Sequence, residues 1–328
     1  MTQQLRNTYL PLTPLQDVIL AEWELNEGKD PYILQLEAQS ENPFDIGAIT
    51  EALRRIVAAE PALRACFRRR KTGEPVQAIL PEVDPEVITV PKYTDVNIEN
   101  VEWESLRQED SKRGFDLNTP PLIRAYIGKT ASGGGRILIS VHHIIVDGWS
   151  LIHLMQKVVD AYQGIPFKPC SAQDSTTLKY LEWLSAQNEK DDIKAFQHTL
   201  GDYAAEGVVA DQDINFSEDS EPCLTFKLSN DVSKSLTLAG EEHGVTFNDV
   251  ITACWGIALS EYLNTDNVAF TSVDSGRYAP VSGIANAIGM FAAVTPIRVA
   301  VGFDESIGTV VERVRDEHKI TAGHRHVG

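Results

Sequence analysis

The run His142–Gly148, with the sequence HHIIVDG, sets two adjacent histidines ahead of three apolar residues and an Asp-Gly pair. A neutral imidazole can accept a proton near neutral pH, which suits a histidine to general acid–base work. The free N–H groups at the start of a helix favour negative charge that develops nearby. From composition alone, such a run arises by chance in roughly one chain per thousand. The pattern therefore indicates a reaction in which a histidine takes part in proton transfer close to a developing negative charge.

The elements on either side of this run place it between a strand and a helix. Residues 137–145 predict a strand, whose apolar part at 137–141 carries a histidine toward the carboxyl end, where sheets commonly present functional groups. Asp147 and Gly148 predict a turn, and Ser150 is expected to cap the helix that follows. Gly164 stands where that helix should end, after an apolar face of Leu151, Leu154, Met155, Val158, Val159 and Tyr162.

The two histidines cannot play the same part, because successive residues of a strand point to opposite faces. We expect His142 to be packed and hydrogen-bonded, and His143 to line a cleft. A buried carboxylate must be paired, so a salt bridge that fixes the turn is the expected state of Asp147. The sequence thus assigns the proton chemistry to His143.

A metal centre is the competing interpretation of the histidines. No HExxH motif or spaced His/Cys set completes such a centre around His143, so we predict no metal site. His318, His324 and His326 could contribute to one only through an unforeseen fold. The four cysteines, Cys66, Cys170, Cys223 and Cys254, form no CxxC pair and are expected to be free thiols in a reducing compartment.

Composition narrows the class of protein further. The 328 residues suggest about two domains or lobes, and the 43% of hydrophobic residues can fill sizeable cores. A net charge of −18 repels phosphate backbones and anionic lipids, so we expect no nucleic-acid or membrane partner. Residues 2–8 are polar, unlike a signal peptide, and no apolar run approaches the roughly 20 residues of a membrane span. The composition indicates a soluble cytoplasmic protein.

Helix and strand signals alternate in both halves of the chain, which predicts a mixed α/β or α+β fold. Strands are predicted at 32–36, 63–69, 76–80, 122–127, 224–228 and 268–273. Helices are predicted from a cap at Asp45 to before Pro61, at 178–186, at 191–200 and at 250–262, the last of them started by Asn248 or Thr246. Hairpin turns are expected at 71–74 and 132–135, a proline-bearing linker at 165–172, and an acidic connector at 206–221.

With these segments, the chain resembles the condensation domains of non-ribosomal peptide synthetases, in the chloramphenicol-acetyltransferase-like superfamily. HHIIVDG is similar to the HHxxxDG motif of that family without departure. The resemblance covers essentially all 328 residues, in the expected order. Its further segments are Leu12–Gln16, Glu60–Phe67, Leu178–Trp183, Ser275–Arg277, Ile288–Phe291 and Pro296–Arg298.

The resemblance implies two chloramphenicol-acetyltransferase-like lobes in a V-shaped pseudo-dimer, with a tunnel between them and His143 at the interface. On that pattern, residues 1–172 are expected to form the N-terminal lobe and residues 173–328 the C-terminal lobe. The family continues beyond the helix near 304–318, so the second lobe is expected to be incomplete at its C-terminal end.

The resemblance also implies an acyltransferase that forms a peptide (amide) bond. Donor and acceptor peptidyl carrier proteins would each deliver a thioester on a phosphopantetheine arm, beside adjoining synthetase domains, and the domain itself would bind no cofactor. His143 would hydrogen-bond the attacking amine, as general base or as an orienting group. Gly148 would offer a backbone N–H to the tetrahedral oxyanion. His142 would be structural, and Asp147 would form a salt bridge with Arg277 or, failing that, Arg64.

Other functions remain open on this fold. A stand-alone acyltransferase would use a free amine or alcohol, and a catalytically silent platform would only recruit a carrier or another partner. The intact His143 and Asp147 argue against a silent platform. The histidine pair argues against a heterocyclising domain, and Gly148-Trp149-Ser150 argues against an epimerisation domain.

Overall fold

The computed structural model describes residues 7–26, 30–90, 96–203 and 225–327. The chain divides into two compact units. Unit 1 comprises Met1–Gln187 and Ser275–Ala293, and unit 2 comprises Asn188–Asp274 and Val294–Gly328. These bounds differ from the lobes 1–172 and 173–328 of the sequence analysis, since residues 173–187 and 275–293 belong with unit 1. The assignment of two acetyltransferase-like lobes stays a prediction.

Unit 1 is built on a four-stranded sheet that ends at the histidine pair. The strands are β2 (Ile33–Ser40), β5 (Glu86–Thr89), β6 (Ile123–Lys129) and β7 (Gly135–His142), in the order β2-β7-β6-β5. Strand β7 runs antiparallel to both neighbours, and all eight of its residues are buried. The register sets His142 opposite Ile33. The central strand is thus fixed on both sides up to its last residue.

A second sheet of unit 1 has the antiparallel order β1-β4-β3, from β1 (Thr8–Leu10), β3 (Ala65–Arg69) and β4 (Pro75–Ile79). The backbone N–H of Arg70 donates to the carbonyl of Glu74 at 2.8 Å, which closes the predicted hairpin. The predicted strand 63–69 was wrong at its start, where Pro61–Arg64 form a 3-10 turn. The proline fixes a backbone angle that suits the first turn of a helix.

The helices of unit 1 are α1 (Pro14–Leu25), α2 (Ile46–Ala59), α3 (Val96–Arg113), α4 (Gly148–Tyr162) and α5 (Thr176–Ser185). Local sequence explains their starts: Asp45 caps α2 by accepting the N–H of Ala48 at 3.0 Å, as predicted. Apolar residues of α1, α2, α4 and α5 join the strands in one core, with Ile19, Leu53, Ile139, Leu154 and Leu181 among its buried members. This core supports the strand and the helix that flank the run at 142–148.

Unit 2 contains α6 (Glu189–Leu200), α7 (Asn230–His243), α8 (Phe247–Leu263) and α9 (Ile307–Thr321), with a paired β8 (Asn267–Asp274) and β9 (Ala293–Ala300). Its core includes Ala253, Val268, Val299, Val310 and Val314. The strand predicted at 224–228 was wrong over its described residues, 225–228, which have no regular structure and are exposed. Helix α7 was not predicted. The acidic connector 206–221 and Cys223 lie outside the described residues.

Over the part of the chain that the structure describes, no helix is both long and apolar enough to cross a bilayer.

Candidate active site

His142 is the last residue of β7, and its side chain is completely buried. Its Nε2 lies 3.0 and 3.2 Å from the two carboxylate oxygens of Asp30. Its Nδ1 accepts a hydrogen bond of 3.0 Å from the backbone N–H of Ile144. Since Nδ1 accepts, the ring proton of a neutral His142 is on Nε2 and points to Asp30. Both ring nitrogens are therefore engaged within the protein.

His143 opens a 3-10 turn, His143–Ile145, directly after the strand. Its backbone N–H donates to the carbonyl of Tyr32 at 2.7 Å, and its carbonyl accepts the N–H of Val146 at 3.2 Å. The half-buried imidazole meets the Tyr32 ring edge-on, with 6.5 Å between centroids. Its Nδ1 is buried and has no hydrogen-bond partner among the described residues. Nε2 is therefore the nitrogen that a substrate can reach.

Asp147 follows the turn and is fully buried. Nη2 of Arg277 lies 2.8 Å from Oδ1 and 3.1 Å from Oδ2 of this carboxylate. Oδ1 also accepts the N–H of Ser150 at 2.7 Å, and Oδ2 accepts the N–H of Phe291 at 3.2 Å. A carboxylate that accepts hydrogen bonds from this many donors fixes the chain around it. The structure thus brings Asp147 together with Arg277.

Arg277 binds more than the carboxylate. Its Nη1 donates to the carbonyls of Ile284 at 2.5 Å and Ala287 at 3.0 Å, and its guanidinium lies 5.0 Å from the centre of the Phe291 ring. Only 7% of the Arg277 side chain is exposed. The arginine therefore joins the segment Ser275–Ala293, which returns from unit 2, to the turn that holds Asp147.

Ser150 is a second link to the same segment, and its predicted role as the cap of α4 was wrong. The cap is Asp147, because its carboxylate reaches the N–H of Ser150 from the usual cap position. The Ser150 hydroxyl instead donates to the carbonyl of Gly289 at 2.8 Å and accepts the N–H of Gly289 at 3.1 Å. The same carbonyl accepts the N–H of Asp147 at 3.1 Å. Asp147 in the turn and Ser150 in α4 thus both bond to Gly289 of the returning segment.

Glycine is required where the returning segment folds back on itself. Gly276 has a φ of +66°, and a Cβ there would lie 1.8 Å from the carbonyl oxygen of Phe291. A side chain therefore meets both an unfavourable backbone angle and an overlap with another main-chain atom. Because the backbone at Gly276 can lie this close to Phe291, both Arg277 and Phe291 can bond to Asp147.

Gly148 is the first residue of α4, and the space around its Cα is open. The glycine is exposed, as is the next residue, Trp149, with 50% of its surface accessible. The main chain at the start of α4 is therefore accessible to a ligand, within a few residues of His143. Because Gly148 has no side chain, nothing of its own covers the backbone N–H that the family resemblance assigns to the oxyanion.

Arg64, the second candidate partner of Asp147, lies elsewhere. Its guanidinium donates to the carbonyls of Val57 and Leu80, both at 3.0 Å, and to those of Ala58 and Cys170. Burial lowers the pKa of Arg64, while Cys170 and Glu60 act in the opposite direction. The carbonyl groups satisfy the donors of Arg64, so its contribution is to join α2 to the residues before α5.

The opening segment of the chain contacts the turn from the other side. The Thr13 hydroxyl accepts the N–H of Gln16, and the Gln16 side chain accepts the N–H of Thr13, which forms a capping box for α1. The amide nitrogen of Gln16 then donates to the carbonyl of Ile144 at 2.9 Å. The helix start thus fixes the residue that follows His143.

The C-terminal histidines are paired with carboxylates rather than gathered in one cluster. Nδ1 of His324 lies 2.7 Å from Asp192, Nε2 of His326 lies 3.2 Å from the same residue, and Nδ1 of His318 lies 2.5 Å from Asp249. Within the described ranges, no three histidine, cysteine or acidic side chains are placed to hold a metal ion.

Sequence reasoning missed Asp30 and Tyr32, which lie against the histidine pair. Burial, together with a hydrogen bond to Glu22, raises the pKa of Tyr32 to about 12, so the phenol keeps its proton. Their short segment carries no motif of its own. The one signal was their position at the start of the strand predicted at 32–36, and the pairing of that strand with β7 cannot be read from local sequence.

With this geometry established, comparison with known proteins gives a family. The family model for the condensation domain matches residues 6–328. Tyrocidine synthase 3 of Brevibacillus parabrevis is 28% identical over 313 residues, which are 94% of this chain and 5% of that synthase. The chain therefore spans a small part of this curated relative.

Solved structures show the fold. The first condensation domain of the calcium-dependent antibiotic synthetase, in complex with a substrate analogue, matches with a TM-score of 0.75 and 20% identity. The match covers 97% of this chain and 76% of that one. The epimerization domain from the third module of tyrocidine synthetase B matches with a TM-score of 0.78, 18% identity, and coverage of 97% and 74%. The mixed helix and sheet fold predicted from the sequence is confirmed.

The family match extends over nearly the whole chain, and the fold agrees with it. Condensation domains of peptide synthetases are acyltransferases that form amide bonds between substrates held on carrier proteins. The chain with the HHIIVDG turn belongs to the condensation domain family of non-ribosomal peptide synthetases.

Proposed function

We propose that this chain forms the amide bond between a donor acyl or peptidyl thioester and the amine of an acceptor aminoacyl thioester. The observation that carries the proposal is the state of His143, whose Nδ1 is buried while Nε2 is left for a substrate. The neighbouring His142 is engaged on both nitrogens, and Asp147 is saturated with donors. Of these three groups, His143 alone is set up to contact an incoming amine.

In the proposed reaction the acceptor amine attacks the carbonyl carbon of the donor thioester. A C–N bond forms, and the carbonyl oxygen of the tetrahedral intermediate carries the negative charge. Nε2 of His143 hydrogen-bonds the amine and either takes its proton or orients its lone pair. The C–S bond then breaks, and the leaving sulfur, which ends as a thiol, takes up one proton as the amine loses one. Because a thioester is already activated, positioning contributes much of the rate.

Gly148 is proposed as the oxyanion donor. It starts α4, where N–H groups lack helical partners and the aligned peptide dipoles favour negative charge. Its exposed, open backbone allows an oxygen to approach, which a larger side chain would hinder. Asp147, Arg277 and His142 would then act on the reaction only by holding the turn between His143 and Gly148.

The proposed partners are donor and acceptor peptidyl carrier proteins, each with a phosphopantetheine arm, and adjoining synthetase domains. Curated relatives in which this domain is a small part of a long synthase support that setting. The carrier arms supply the reactive thioesters, so the proposal needs no cofactor held by the domain. A cytoplasmic location follows from the same proposal, since it is where such synthetases meet their substrates.

Replacement of His143 by alanine tests the proposal. Turnover with both carrier proteins loaded is expected to fall by about 10²–10⁴-fold, while the fold is kept. The matched control is His198→Ala, which removes an exposed histidine of α6. Peptide product on the acceptor carrier is measured by mass spectrometry, with thermal unfolding of each variant alongside. Near-parental turnover of His143→Ala would contradict the assignment.

The same assay separates the alternative functions. Product from a soluble thioester and a free amine or alcohol, at the rate seen with carriers, would identify a stand-alone acyltransferase. Inverted stereochemistry of a carrier-bound residue without amide product would identify an epimerase. Tight carrier binding by a parent protein with no turnover, equal to that of His143→Ala, would identify a silent platform. Each result would replace the proposed reaction.

A further inference from the structure

We propose that Asp30 is a positioning residue for the histidine pair: its carboxylate holds His142 as the Nε2–H tautomer, and His142 in turn holds the turn that carries His143. The importance of this for turnover rests on the proposed role of His143. The tautomer itself does not, and it can be measured without an activity assay.

The first step of the argument is the pairing of the two ring nitrogens. The Ile144 N–H donates to Nδ1 of His142 at 3.0 Å, which requires an unprotonated Nδ1. Nε2 is hydrogen-bonded to Oδ1 of Asp30 at 3.2 Å and lies 3.0 Å from Oδ2, and a carboxylate only accepts. In the opposite tautomer, two N–H groups would face each other at Nδ1, and two lone pairs would face each other at Nε2. The surroundings therefore select one tautomer at both ends of the ring.

The second step is burial. The His142 ring is fully buried and the Asp30 side chain is 9% exposed, so water does not readily replace either bond. The ring of Phe115 also packs edge-on against His142, with 6.3 Å between centroids. A buried polar group that loses its partner costs far more than an exposed one. The orientation of His142 thus depends on Asp30 more than on solvent.

The third step connects Asp30 to His143. The carboxylate also accepts the N–H of Tyr32 at 3.0 Å, and the carbonyl of Tyr32 accepts the N–H of His143 at 2.7 Å. His143 is therefore fixed on both sides: through Tyr32 at its own N–H, and through His142 at the N–H of Ile144. Asp30 is the residue that both connections share. Loss of its charge would shift His143 without touching it.

The variant Asp30→Asn keeps the size of the side chain and can still accept the Tyr32 N–H. Its amide group can also donate to Nε2 of His142, which favours the Nδ1–H tautomer and breaks the bond from Ile144. Because displacements of about 1 Å cost up to about 100-fold in rate, turnover is expected to fall by about 10–100-fold. The conservative variant Asp30→Glu retains a carboxylate acceptor, and is expected to keep the parental tautomer and recover part of the turnover.

The experiment is ¹⁵N NMR of the 328-residue chain with ¹⁵N-labelled histidine, where ring nitrogen shifts and couplings report the tautomer. A His142→Gln variant identifies the signals of His142. The parent is expected to show Nε2–H, and Asp30→Asn a changed tautomer or a mixture. The matched control is Glu22→Gln, which removes a carboxylate bonded to the Tyr32 hydroxyl but leaves the contact between Asp30 and His142 in place. It is expected to keep the parental His142 signals.

An Nδ1–H tautomer in the parent would overturn the proposal, and this measurement needs no variant to fold. Parental His142 signals in Asp30→Asn would overturn it as well. A changed tautomer with parental turnover would refute the coupling to His143. If His143→Ala itself turns over normally, the proposed function fails, while the tautomer measurement still decides the role of Asp30 toward His142.

Discussion

Removal of the Asp147 carboxylate by Asp147→Ala is expected to destabilise the protein severely. Only 1% of the Asp147 side chain and 7% of the Arg277 side chain are exposed, so the variant leaves a cation buried without its ion partner. Loss of one member of a buried pair costs about 3–5 kcal/mol. That is a large share of the 5–15 kcal/mol that typically separates a folded domain from its unfolded state.

The magnitude converts into a melting temperature. Unit 1 has about 200 residues, and for a domain of that size 1 kcal/mol corresponds to about 2–4 °C. Asp147→Ala should therefore lower the melting temperature of unit 1 by about 6–20 °C, or yield insoluble protein. The variant also removes the cap of α4, and caps contribute about 0.5–2 kcal/mol. The upper part of the range is thus the better expectation.

Thermal unfolding of four proteins tests the reasoning: the parent, Asp147→Ala, Arg277→Ala and the double variant. The double variant should lose less stability than the sum of the single losses, because the second substitution removes a charge that the first left unpaired. His143→Ala serves as the control and should melt near the parent, since no side-chain hydrogen bond of His143 is lost among the described residues. A soluble Asp147→Ala protein with parental stability would refute the structural role assigned to this carboxylate.

Two further substitutions test the supports of the site. Gly276→Ala should lower the free energy of unfolding by about 2–5 kcal/mol, because it adds backbone strain and an overlap with Phe291. The control Gly73→Ala, at a φ of +89° with open space around it, should lose only the backbone part of about 1–2 kcal/mol. Equal losses of the two variants in chemical denaturation would disprove the overlap. Asp110 is buried, which raises its pKa, but hydrogen bonds from Ser140 and three other side chains outweigh this and lower the pKa overall. Because the pKa of Asp110 is lower in the folded protein than the value of about 3.9 in the unfolded chain, the ionised carboxylate stabilises the fold at pH values above 3.9. This stabilisation is lost as the pH falls through the folded-state pKa. The stability gap between the parent and Asp110→Asn should therefore be full at pH 7 and shrink below about pH 4, and a gap that does not change with pH would contradict this.

Local sequence predicted the elements that start and end with clear signals. Asp45 was identified as a helix cap and Thr246 as one of two candidate caps, and both accept a backbone N–H three residues later. Such hydrogen bonds join residues three positions apart, so a short stretch of sequence contains both partners. The strand at 224–228 failed for the opposite reason, because β-prone residues form a strand only where a partner strand exists. Helix α3 was missed since it is rich in charged residues and has little apolar periodicity.

The site divides in the same way. The HHIIVDG pattern identified His143 and Asp147, and the family resemblance offered Arg277, which lies 130 residues from Asp147 and contacts it. No local signal predicts that Ser150 binds Gly289, or that Asp30 binds His142. Those contacts depend on strand register and on the path of a returning segment, which are properties of the folded chain. The roles of these residues in the reaction stay predictions.

The return of Ser275–Ala293 to unit 1 has a consequence for the order of synthesis. Asp147 leaves the ribosome well before Arg277 and Phe291 exist, and the whole of 188–274 must emerge in between. At a synthesis rate of 5–20 residues per second, roughly 7–30 s pass between the synthesis of Asp147 and that of its partners. During that interval the HHIIVDG turn lacks its contacts with the segment Ser275–Ala293. Chaperones and proteases therefore meet the nascent chain with this turn unpaired, unlike in the finished protein. Codon choice or pausing between residues 150 and 290 would then alter the yield of folded protein without any change in its sequence.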